Sequence, residues 1–208
     1  ALDAVGPVLP LDAVELALSC GEAPPPGTVL TFDDGYREHL DVVAPLLAER
    51  GVTATFYVAT GLHGAGTDVA LVDAWYWLLD HAIERVAKVL LPAGGRHQGR
   101  IDSVEAKGAW VGGEPKAALL AAPPQQQTAM LDALADSVGC SLPADLAARL
   151  YLCPSEWSSL VRLGMRVGAH SVSHPRMTQM DELQLDSEAQ ESVEAVRTLG
   201  TPVPFAYP

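Results

Sequence analysis

"GTVLTFDDGYREHLDVVAPLLAERGVTATFYVATG", residues 27–61, decides how this chain folds. Thr28 to Phe32 is mostly apolar and rich in β-formers, with Gly27 and Gly35 at its borders, and reads as a buried strand. The next stretch places Leu40, Val43, Leu46 and Leu47 on one side of a helix. Pro45 lies in an early turn of that helix or kinks it, and Gly51 stops it. Residues 52–61 form a second strand. Strand, helix and strand in so short a span make a βαβ unit, which requires parallel strands and defines an α/β chain.

Outward from this unit the alternation continues. Before it, "PLDAVELAL" (10–18) reads as a short helix and "GEAPPPG" (21–27) as a stiff connector, so residues 1–27 form an N-terminal helix and linker. After it, Val72, Trp75, Leu79, Ile83, Val86 and Leu90 recur at helical spacing and predict one long helix over 69–91. Residues 92–124 read as loop. Met130, Leu131 and Leu134 mark a helix over about 126–138, and "PSEWSSLVRLG" (154–164) is another, with Ser155 as N-cap. No chemical motif falls in this part. It is expected to be a helical insertion, about 69–150, within a domain running from 28 to 208. "MRVGAH" (165–170) is then a strand. The helix "DELQLDSEAQESVEAVRTLG" (181–200) has acidic residues at its positive end, and "TPVPFAYP" (201–208) is a fourth strand.

The totals restrict the partners. The chain has 208 residues, 49% of them hydrophobic, enough for a real core. Its net charge of −13 argues against nucleic-acid and anionic-membrane surfaces, and no apolar run reaches the ~18 residues of a membrane span. Cys20, Cys140 and Cys153 have neither disulfide-framework nor metal-like spacing. Three thiols and the lack of a basic-then-apolar leader lean towards the cytoplasm. Oligomeric state is not legible.

In parallel α/β folds, working residues gather at the carboxyl ends of strands. The first strand ends in Asp33 and Asp34, and the strand "MRVGAH" ends in His170, with His174 four residues on. If the chain turns helical after His170, both imidazoles project to one side. Two imidazoles and one carboxylate make a three-ligand set for Zn²⁺ or a similar divalent ion. Adjacent aspartates then divide the work: one ligates, and the other stays free to take a proton from water acidified by the metal. Each signal alone has a plain alternative, since Asp-Asp-Gly is also a common turn and a histidine pair is also found packed or at the surface. It is their joint placement on one rim that points to chemistry.

Taken in order, "TFDDG" (31–35), "HSVSH" (170–174) and "FAYP" (205–208) resemble the first three motifs of the polysaccharide deacetylases, the NodB-homology family or carbohydrate esterase family 4. "TATFYVATG" (53–61) also matches the segment that follows the first motif. The resemblance implies a distorted (β/α)7-type barrel, with Asp33 as catalytic base and Asp34, His170 and His174 as metal ligands. It implies a carbohydrate substrate from which the enzyme removes N-acetyl groups. The implied cofactor is a divalent metal, Zn²⁺ first, with Co²⁺, Mn²⁺, Ni²⁺ or Fe²⁺ as alternatives. Ala206 stands where the common third motif has arginine. The oxyanion-holding amide and the general-acid histidine of the family would lie beyond Pro208, so the barrel is expected to be incomplete at its C-terminal side.

Other residues have plainer readings. Tyr207, at a strand end, is a candidate for the substrate pocket. Trp75, Tyr76 and Trp77 have faces suited to sugar stacking, although helical spacing assigns Trp75 to the core. His39, His63, His81 and His97 read as surface or loop residues, and the acidic run 181–188 as a solvated helix face. Two rivals accompany the deacetylase reading: a hydrolase of cyclic amides or ureides on the same fold, and a non-catalytic sugar- or protein-binding relic.

Overall fold

The structure is a computed structural model that describes residues 6–66, 68–92 and 94–208. Residues 1–5 of the expected N-terminal segment, and Ala93 of the expected loop, lie outside the described residues. The chain divides into two compact units. One comprises the chain up to Asp68 together with Asp145–Pro208; the other is Val69–Ala144.

The first unit begins with α1 (Leu11–Ser19), followed by β1 (Thr31–Phe32). The helix expected after β1 opens as a π-helical turn over His39–Val43 and becomes regular only in α2 (Ala44–Ala48), where Pro45 occupies the first turn. Proline has no amide proton to donate backwards, so the turn before it widens instead of continuing the α-helical ladder. Next comes β2 (Thr55–Val58), whose four residues are all buried.

The second unit corrects the helical expectation. The predicted helix over 69–91 ends early: α3 spans Leu71–Asp80, and Val86–Leu90 is a strand, β3. The His81 ring lies 3.0 Å from the Trp77 carbonyl and stacks on the Trp77 ring at the point where the helix stops. Beyond it the burial period changes to two, with Ala87 and Val89 inside while Ile83 and Leu90 are exposed. β3 pairs antiparallel with β4 (Arg96–Arg100), a strand with no large apolar residue and hence no readable pattern. The expected loop also contains two helices, α4 (Val104–Val111), N-capped by Ser103, and α5 (Glu114–Ala121). α6 (Pro124–Val138) completes the unit. Trp75, Leu78, Trp110, Leu119 and Leu134 form its core, and the Trp75 indole N–H donates to the Trp110 carbonyl at 3.1 Å.

The chain then re-enters the first unit through α7 (Leu146–Leu150) and α8 (Pro154–Arg162). Cys153, not Ser155, caps α8, with Pro154 at the first helical position and the Glu156 carboxylate reaching back to the Cys153 amide at 2.7 Å. β5 (Arg166–Ala169) leads to the second motif, and α9 (Glu182–Val196) follows, started by a reciprocal Asp181–Gln184 cap.

The sheet of this unit runs β1-β2-β5, all parallel, with Thr31 opposite Thr55 and Phe56 opposite Val167. The expected fourth strand is reduced to one parallel bridge, Ala169 to Phe205, flanked by backbone hydrogen bonds from Ala169 to Pro204 and from Ala206 to Ala169. The α/β class is as expected; among the described residues it is an open parallel sheet, not a closed barrel. Phe56, Val58, Leu152, Leu160, Val167 and Val196 pack the core beneath it.

Candidate metal centre

The order β1-β2-β5 brings the carboxyl ends of β1 and β5 to the same edge of the sheet, with only β2 between them. The turn after β1 is tight. Asp34 and Gly35 have φ of 74° and 77°, and the Gly35 α-carbon faces Val58, where an added Cβ would come within 3.1 Å of a valine methyl. Aspartate tolerates the left-handed region, but the next position needs glycine for both conformation and space. The turn is tied down on its far side, where the Leu152 amide donates to the Gly35 carbonyl and Tyr36 bridges Tyr151.

The turn after β5 is not the helical turn that the histidine spacing suggested. Ser171 and His174 have φ of 64° and 55°, so the loop doubles back instead of coiling, and the His174 amide donates to Ser171 Oγ at 3.1 Å. The imidazoles still converge, with ring centroids 5.1 Å apart. Asp34, Ser171 and His174 are the non-glycine residues with positive φ among the described residues, and all three lie in these two turns. Each left-handed residue costs about 1–2 kcal/mol, a cost met only where surrounding bonds fix the backbone.

Three side chains meet there. Asp34 Oδ1 lies 3.0 Å from His174 Nε2 and 3.4 Å from His170 Nε2. One ligand-type atom from each of the three residues lies within 4.8 Å of the others. His170 is buried, and its Nδ1 is 2.9 Å from the Ala206 carbonyl oxygen. A carbonyl only accepts, so Nδ1 carries the proton and Nε2 of the neutral ring turns a lone pair towards Asp34. Asp34 Oδ1 is itself buried, and neither imidazole approaches it with hydrogen-bond geometry. With its Nδ1 committed to a carbonyl, His170 turns one acceptor towards another, Asp34 Oδ1, a pairing that a cation or a proton between them satisfies, and the set of two imidazoles and a carboxylate fits a divalent ion. Without a metal, protons take part of that role. Burial raises the Asp34 carboxyl, but the two imidazoles outweigh it and hold the group well below the usual carboxylate range. Burial lowers His170, and Asp34 and the Ala206 carbonyl reverse that effect and raise it.

Asp33 sits beside this trio, exposed at the end of β1, and its charge reaches both His170 and His39. Tyr207 is 72% exposed, with its ring edge-on to Phe205 at 5.1 Å. The expectation for His39 is corrected: it is buried among Phe32, Tyr36 and Phe56, and burial pushes its pKa down. Glu188 corrects the reading of the run 181–188 as a solvated face, because its carboxylate accepts from the Val172 and Ser173 amides and the Ser173 hydroxyl. A second residue missed by sequence is Arg37, which pairs with both oxygens of Glu156 and reaches the Ala148 carbonyl. Neither role carries a local signal, since each bond spans the fold.

Residues 21–107 match the family model described as polysaccharide deacetylase, a segment that includes Asp33 and Asp34. This bears out the resemblance expected from the first motif, "TFDDG", and from the strand segment that follows it; the second and third motifs lie outside the matched residues. No curated protein matches the chain. Among solved structures it is similar to the deacetylase PplD of Streptococcus pyogenes in complex with acetate, with 16% identity and a TM-score of 0.48 over 93% of this chain and 50% of that one. A family 4 carbohydrate esterase from Streptomyces lividans in complex with acetate matches at 18% identity and a TM-score of 0.38, covering 87% and 50%. The BpsB deacetylase domain from Bordetella bronchiseptica matches at 14% identity and a TM-score of 0.46, covering 96% and 62%. The chain thus spans half the length of the first two and 62% of the third.

Proposed function

We propose that this chain carries the metal-binding half-site of a carbohydrate N-deacetylase, a hydrolase of non-peptide carbon–nitrogen bonds acting on N-acetylated amino sugars. The observation that carries the reading is the convergence of Asp34 Oδ1, His170 Nε2 and His174 Nε2, with the Asp34 oxygen buried and without a hydrogen-bond partner. These residues would hold the divalent ion, and nitrogen-rich three-ligand sites with room for further ligands suit Zn²⁺. When bound, the ion supplies Lewis acidity towards water and the acetyl carbonyl. Asp33 is adjacent to the ligand but free of it, and takes the proton from the attacking water. The Ala206 carbonyl holds His170 in the tautomer that leaves Nε2 free for the metal. Tyr207 is available to an incoming sugar ring.

The test combines metal analysis with product release. Purified protein freed of metal and titrated with Zn²⁺ is expected to bind close to one equivalent, and in the active enzyme chelation should stop acetate release from N-acetylglucosamine oligomers. Zn²⁺ binding without acetate release, but with turnover of a cyclic amide or ureide, would redirect the assignment to that substrate class. Absence of stoichiometric binding would overturn the metal site.

A further inference from the structure

The loop between the two histidines has no regular secondary structure, yet it must present both rings to one point. Its backbone carries two left-handed residues, Ser171 and His174, neither of them glycine. From one side the strand-end segment after β2 supports it: the Thr60 amide donates to the Ser171 carbonyl at 3.0 Å and the Gly61 amide to the Val172 carbonyl at 2.8 Å. Gly61 is packed so closely that a Cβ there would lie 2.8 Å from that carbonyl oxygen. These bonds occupy the loop's carbonyls and leave its amides. The amides of Val172 and Ser173 both donate to Glu188 Oε2, at 2.7 and 2.9 Å, and the Ser173 hydroxyl donates to Glu188 Oε1 at 2.6 Å. A single carboxylate, standing on the second turn of α9, therefore satisfies three donors from two of the three residues between the metal-ligand candidates.

We infer that Glu188 is a positioning residue: it locks the loop into the left-handed course that aims His170 and His174 at Asp34, and so sets the metal affinity of the site. This rests on the reading of Asp34, His170 and His174 as ligands. Charge-assisted bonds from two consecutive amides to one oxygen fix the peptide planes directly, which the more distant packing of α9 does not. Partners that orient ligands without touching the metal typically account for 10- to 100-fold in affinity.

The experiment is Zn²⁺ titration of the metal-free protein by calorimetry, well below each variant's melting temperature. Glu188→Ala is expected to weaken Zn²⁺ binding by about 10- to 100-fold. Glu188→Gln is expected to restore most of it, because the amide oxygen accepts both backbone N–H groups and the amide nitrogen faces the Ser173 hydroxyl. Val196→Ala, which opens a cavity in the buried face of the same helix, is expected to lower the melting temperature and leave the affinity unchanged. Equal affinity in wild type and Glu188→Ala would overturn the inference. So would an equal loss in Val196→Ala, which would make the effect one of stability. If wild type itself binds no Zn²⁺, it is the ligand assignment that fails, a result separate from either.

Discussion

At the scale of the residue, the two aspartates of "TFDDG" differ by environment, not by type. Asp34 stands in a left-handed turn with one oxygen buried against two imidazoles, whereas Asp33 is exposed at the strand end. Their substitutions should therefore separate. Asp34→Ala is expected to abolish stoichiometric Zn²⁺ binding, and Asp33→Asn to retain it while lowering acetate release by about 10²–10⁴-fold, the usual worth of a positioned base. Calorimetry and a coupled acetate assay on the same preparations distinguish these outcomes. The histidine pair was legible as a pair, and the motif resemblance named Asp34 as its partner; the course of the loop between the histidines was not legible. The spacing suggested a helical turn; the rings instead meet through two positive-φ residues, a solution stabilised by partners from β2's end and α9.

At the scale of the element, α8 and the first-motif turn are coupled through Glu156. Its carboxylate caps Cys153 and pairs with Arg37, which follows the motif by two residues. The Cys153 amide lowers its pKa most; burial opposes, and Arg37 lowers it further. A carboxyl depressed in the folded state adds stability that is present above its unfolded pKa and is lost as pH falls through the acid range towards the folded value. Glu156→Gln should flatten that part of the stability–pH curve measured by urea unfolding. Glu156→Ala should cost about 1–2 kcal/mol at neutral pH, from loss of both the cap and the charged hydrogen bonds. Elements with a plain local signal, such as the continuous apolar run of β2 and the acidic start of α9, were foreseen. The β3–β4 hairpin was not, because Val86 and Leu90 fit helical spacing as well as strand spacing and Arg96–Arg100 offers no apolar pattern at all.

At the scale of the whole molecule there are two cores. The unit formed by Val69–Ala144 has its own apolar interior around Trp75 and Trp110, while Asp34, His170 and His174 all belong to the other unit. Trp110→Ala removes a fully buried indole and the ring packed beside Trp75. It should destabilise that unit by about 3–5 kcal/mol. Denaturant unfolding followed by tryptophan fluorescence reads the loss, and Zn²⁺ affinity below the lowered transition should be unchanged. The family match, over residues 21–107, crosses from one unit into the other.

Sequence alone determined the α/β alternation, the parallel pairing of the first strands, and the identity of the residues that meet at the strand ends. These follow from short-range physics: hydrophobic period, glycine and proline positions, and the rule that one βαβ crossover lays strands side by side. Tertiary structure alone decided that the histidine loop runs left-handed, that its imidazoles meet Asp34 through that course, and that Glu188 grips it. Those outcomes depend on hydrogen bonds and contacts between residues 15 to more than a hundred positions apart. A chain encodes such bonds only through the fold that brings their ends together.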